Sequence, residues 1–120
     1  MPPRRIEDAE GRAALAAVQQ GTTARPTLAT AVRWTLQRLA DAVPGNSVEV
    51  RVPPFAAVQA VPGPRHTRGT PPNVVETDAT TWLALATGQL RWDEAMAQAR
   101  VSASGSRADL TEFLPVRLDD

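Results

Sequence analysis

Cysteine, tyrosine and lysine are missing from this chain, and histidine occurs once. The lack of cysteine excludes a disulfide framework, thiolate zinc sites and cysteine nucleophiles, as expected of a protein kept in a reducing, cytoplasmic compartment. A lone His66 cannot build a two-histidine metal face or an H-E-x-x-H helix, so no metal is expected. Long apolar runs are missing too. The longest near-apolar stretch, Ala13 to Val18, falls far short of the ~20 residues of a membrane helix. The leading residues Met1-Pro2-Pro3-Arg4-Arg5-Ile6-Glu7-Asp8 pass from basic to acidic rather than into the apolar stretch of a signal peptide, so no export is expected.

An excess of one charge is also lacking. Thirteen basic side chains, all arginine, balance thirteen acidic ones. No net positive field gathers phosphate backbones, and a nucleic-acid partner loses its main physical support. Ser102, Ser104 and Ser106 surround Gly105 without a G-x-S-x-G elbow, and the glycine-rich Pro62-Gly63-Pro64 and Arg68-Gly69 lack phosphate-loop spacing. These absences imply neither a catalytic site nor a bound cofactor.

What is present is a sequence of short periodic segments within a length of 120 residues, the size of one domain. Ile6 to Gln19 is alanine-rich with early acids and stops at Gly21, which predicts a helix. A second helix starts near Pro26, carries Leu28, Val32, Leu36, Leu39 and Val43 on one stripe, and ends at Pro44-Gly45. Trp34 falls on the opposite side of it. Two readings account for that tryptophan: packing flat on the first helix, or contact with a protein partner.

From Ser47 the period changes to two. Val48, Val50 and Val52 alternate with Glu49 and Arg51, a strand with one wet face, and Pro53-Pro54 interrupts it. Phe55 to Val61 is a second candidate strand, with Phe55, Ala57, Gln59 and Val61 on one face, and Asn73 to Thr77 a third. Asp78 is placed to cap a helix through Trp82, Leu83 and Ala86 that stops at Gly88. Trp92, Ala95, Met96 and Ala99 recur as one helical face, Arg100 to Ser104 alternate as a last strand, and Asp109 to Leu114 form a closing turn with Leu110, Phe113 and Leu114. The loop Arg65-His66-Thr67-Arg68 is the one concentrated polar patch: either a solvated turn or a pair of guanidinium forks able to hold a carboxylate or phosphate.

The run Arg51-Val52-Pro53-Pro54-Phe55-Ala56-Ala57-Val58-Gln59, followed by Gly63 through Asp78, resembles the bacterial sterol-carrier-family proteins. The stretch from Trp82 to Gly88, through Arg91-Trp92-Asp93-Glu94-Ala95 to Val101–Gly105 and Arg107–Leu110, is similar to the closing half of the wider sterol-carrier-protein-2 superfamily. The resemblance implies an α+β domain over residues 1–120, with a helical pair at 6–44 and a sheet with short helices at 47–118. It also implies an SCP2-like sheet of about five mainly antiparallel strands, helices on one face, and an enclosed apolar cavity.

The function so implied is non-catalytic binding or carrying of a lipid, a sterol-like compound or another apolar small molecule. The pocket is expected between the sheet and the short helices, lined by Phe55, Trp82, Leu83, Ala86, Met96, Leu110, Phe113 and Leu114. The alternative is an adaptor with a filled core that meets a protein partner through Trp34 and the Arg65–Arg68 loop. A thiol-dependent isomerase, known in the superfamily beside such domains, ranks last in a chain with a single histidine.

Overall fold

The computed structural model describes residues 4–63 and 73–119. The loop Arg65–Arg68, read above as a turn or an anion site, lies outside the described residues.

The alternating valines set the centre of the sheet. Strand β1 (Val48–Val52) buries Val48, Val50 and Val52 completely, while Glu49 and Arg51 point to the wetter face. It pairs antiparallel with β2 (Ala56–Ala60) in the register Val52↔Ala56, Val50↔Val58 and Val48↔Ala60. Ala56, Val58 and Ala60 therefore share the valine face. The set Phe55, Ala57, Gln59 and Val61 has the opposite parity: Ala57 and Gln59 face solvent, and Val61 leaves the strand in a left-handed conformation (φ 72°).

On its other side β1 runs parallel to β3 (Val74–Thr77), which in turn pairs antiparallel with β4 (Val101–Ser104). The described sheet has four strands in the order β2-β1-β3-β4. It is mixed, which corrects the expectation of about five mainly antiparallel strands. The parallel pair arises because β2 turns back along the outer side of β1, so the chain re-enters at the other side in the original direction. After β4 the chain turns into a short 3-10 helix (Thr111–Phe113), and the Val116 N–H donates to the Ala86 carbonyl rather than to a strand.

Helix α1 (Asp8–Gln19) packs on α2 (Arg25–Ala42), and α2 packs on β2 and on α3 (Ala79–Thr87). The predicted stripe of α2 is buried at Val32, Leu36 and Leu39 and partly buried at Leu28 and Val43. Its second side is covered as well. Trp34 is fully buried against Gly11 of α1, where a Cβ would stand 2.1 Å from the indole Cγ. The packing reading of Trp34 holds, and its role as an exposed partner contact is corrected.

The indole Nε1 donates to the Asp8 carboxylate at 3.0 Å, and Arg12 and Arg38 lie over the ring at 5.7 and 5.9 Å. The Trp34 N–H, followed by the field of Arg38, holds the Asp8 carboxyl below its ordinary range. Both arginines also donate to main-chain carbonyls of the C-terminal segment, Arg12 to Leu118 and Arg38 to Arg117 and Asp119.

Local signals fix α3 at both ends. The Asp78 Oδ1 accepts from the Thr81 N–H at 2.8 Å, and Gly88 ends the helix with φ 83°. Asp78→Ala is expected to cost about 0.5–2 kcal/mol while Asp78→Asn largely keeps the cap. Denaturation curves that do not distinguish either variant from the parent would refute the cap's contribution.

Helix α4 (Trp92–Ala97) is shorter than the apolar spacing suggested. Ala99 has left the helix, with φ 56°, so the face formed by Trp92 and Ala95 ends before it closes. Within the helix, Met96 stands 41% exposed.

Candidate functional site

A cleft of about 560 Å³ opens between the segment preceding α1, one face of α2 and the start of β2. Helical spacing explains the α2 wall, because Arg33, Gln37, Ala40 and Asp41 succeed one another at intervals that return to the same side. The β2 wall consists of Phe55 to Val58, placed there by the hairpin that follows Pro53-Pro54.

The third wall is an extended segment held by side chains. The Gln37 amide grips the Ile6 main chain from both sides: Oε1 accepts the Ile6 N–H at 3.0 Å, and Nε2 donates to the Ile6 carbonyl at 2.9 Å. Arg5 spans to Asp41 through Nη2–Oδ2 at 2.7 Å and Nη1–Oδ1 at 3.3 Å. These bonds place the half-buried Ile6 opposite Val58 and Phe55, and the cleft becomes mainly apolar through Ile6, Ala40, Phe55, Ala56 and Val58.

Its polar groups are mostly committed to each other. Arg4 pairs with Glu10, Arg5 with Asp41, and Gln37 with Ile6. The Arg33 Nε donates to the Phe55 carbonyl at 3.3 Å, while the Arg25 guanidinium stacks over the Phe55 ring at 5.5 Å. Arg33 thus holds the first residue of the β2 wall by its main chain, while Arg25, which does not line the cleft, only stacks on its ring. Among the described residues no group of three His, Asp or Glu side chains could hold a metal.

The eight residues expected to line one pocket stand in several places. Phe55 lines the cleft just described. Leu83 lines a separate depression of about 260 Å³ beside α1 and α2. Leu114 lines another of about 260 Å³ with Trp92 and Pro115. Trp82, Ala86 and Leu110 are fully buried, Phe113 and Leu114 partly so, and Met96 looks into solvent.

On α3 the fully buried Trp82 donates through Nε1 to the Thr35 Oγ1 at 2.8 Å. Sequence reasoning missed Ile6, Arg33, Gln37 and Ala40. The polar members of α2 had the appearance of a solvated face, and the signal available was an isoleucine ahead of a helix start with a glutamine free to cap its main chain.

A family model described as bacterial SCP ortholog matches residues 24–116. The match takes in α2, the whole described sheet and Val116, and hence the α2 and β2 walls of the cleft, while Ile6 and α1 precede it. No curated protein matches the chain significantly.

Proposed function

The chain belongs to the bacterial SCP ortholog family, and from that premise we propose that it binds a small apolar molecule, without converting it, in the cleft between Ile6, α2 and β2. The observation that supports this reading is the cleft itself. At about 560 Å³, with apolar side chains on three walls, it falls in the size range of small-molecule sites, ~300–1,000 Å³. The chain's resemblance to sterol-carrier proteins agrees with an apolar cargo, and the cleft's polar groups, apart from the Nη atoms of Arg33, are spent on holding the walls rather than arrayed around a reacting atom.

The driving force is the removal of apolar surface from water, so binding carries a negative heat-capacity change and persists at high salt. The test is titration of the full chain with a dansylated undecanoic acid. Ala40→Trp, which fills the cleft from α2, is expected to weaken binding about tenfold or more, equivalent to ~1.4 kcal/mol. Met96→Trp, on the exposed side of α4, should leave it at the parental value. A folded Ala40→Trp protein that binds the probe as tightly as the parent overturns this site. A parent that binds no apolar probe overturns the function and favours the adaptor reading.

A further inference from the structure

The cleft that we propose as the apolar site is lined by three guanidinium groups, Arg4, Arg5 and Arg33, against one carboxylate, Asp41. They are not equivalent. Arg4 is engaged by Glu10 at 3.3 Å, and Arg5 by both oxygens of Asp41. Arg33 spends only Nε, on the Phe55 carbonyl. Among the described residues its Nη1 and Nη2 have no hydrogen-bond acceptor and no carboxylate partner, and the residue is exposed at the cleft.

The Nε bond has a further effect. It ties the guanidinium to the carbonyl of the turn residue that precedes β2, which sets the direction of the fork. A guanidinium with two adjacent N–H donors unspent matches the two oxygens of a carboxylate or a phosphate. Beyond it lie Val58, Ala40 and Ile6, an apolar floor suited to a hydrocarbon chain.

Resting on the apolar-site reading, we infer that the ligand is an anionic amphiphile whose oxyanion head is bound by Arg33 Nη1 and Nη2 while its apolar body occupies the cleft. Arg33 is then the residue that sets head-group preference. Arg25 offers a matched control, because it carries the same charge eight positions earlier on α2, touches the same Phe55 and does not line the cleft.

The experiment is calorimetric titration of the full chain and of Arg33→Gln and Arg25→Gln with decanoate, decyl phosphate and decanol, which share the chain and differ in the head. The parent is expected to prefer one or both anions over decanol by about fivefold at low salt, as suits an ion pair open to solvent. That preference should shrink as salt screens the head, while decanol binding stays. Arg33→Gln should abolish the preference, lowering anion affinity far more than decanol affinity; Arg25→Gln should keep it.

A merely structural role for Arg33 would weaken all three ligands together. Equal binding of anion and alcohol by the parent, or a preference that survives Arg33→Gln or vanishes equally with Arg25→Gln, overturns the head-group inference and leaves the apolar site standing. Failure of all three ligands to bind the parent removes both. Decanoate against decyl phosphate decides which oxyanion the fork serves.

Discussion

Alanine at Gly11 is expected to destabilise the fold by about 1–3 kcal/mol, although glycine-to-alanine inside a helix ordinarily stabilises by ~1 kcal/mol. The reversal comes from one contact. A Cβ built on Gly11 falls 2.1, 2.2 and 2.5 Å from Cγ, Cδ2 and Cδ1 of Trp34, the rigid near side of an indole that has no flexible end to move.

Trp34 has little freedom to retreat, since it is fully buried, its Nε1 is bonded to Asp8, and Arg12 and Arg38 cover the ring. Trp34→Ala alone should cost about 3–5 kcal/mol through lost burial and the cavity left behind. In that background the clash is gone, so adding Gly11→Ala should become neutral or stabilising. Urea denaturation of the two single variants and the double variant measures the sign change directly. A Gly11→Ala protein more stable than the parent would mean that α1 and α2 do not meet at this contact.

That contact also shows how far the sequence could be read. The stripe of α2 was visible because spacing is a local property, as were the Asp78 cap, the Gly88 stop and the three valines of β1. Burial of Trp34 on the other side depends on α1 lying across it, and spacing within α2 carries no information about that. Only Gly11, a small residue in an alanine-rich helix, hinted at a close approach.

Strand direction was illegible for a similar reason: alternation at Val48–Val52 and Asn73–Thr77 is the same whether the partner runs parallel or antiparallel. The parity of β2 was also ambiguous, because Phe55 and Val61 are as apolar as Ala56, Val58 and Ala60. The hairpin register decided it.

The cleft proposed as the site was the least readable part. Apolar residues that line a space and those that fill it have the same composition, and the burial of Trp82 and its bond to Thr35 were equally invisible to spacing. The cleft instead depends on Gln37 holding the Ile6 main chain, a pairing of residues 31 positions apart.

Trp82→Ala is the other large expected effect, at about 3–5 kcal/mol, and its origin is polar as well as apolar. The indole is fully buried and donates to Thr35 Oγ1 at 2.8 Å, while that hydroxyl donates in turn toward the Ala31 and Val32 carbonyls at 2.8 and 3.0 Å. Thr35 is fully buried as well, so neither group can turn to water when its partner is removed. Thr35→Val keeps the shape of the side chain but strands the indole N–H, which should cost about 1–3 kcal/mol. Trp82→Phe removes the donor and leaves the hydroxyl still bonded to α2, so its cost should be chiefly that of the lost ring volume.

Combining Thr35→Val with Trp82→Phe should therefore cost less than the sum of the two. The indole whose N–H the valine strands is no longer there, and a coupling of about 0.5–3 kcal/mol is expected in the double-mutant cycle. Strict additivity would show that the bond between α3 and α2 contributes nothing. Coupling of the expected size would mean that α3 is fastened to α2 through its own tryptophan. The indole of α3 then serves the packing of the two helices as an anchor, buried on both sides of the bond.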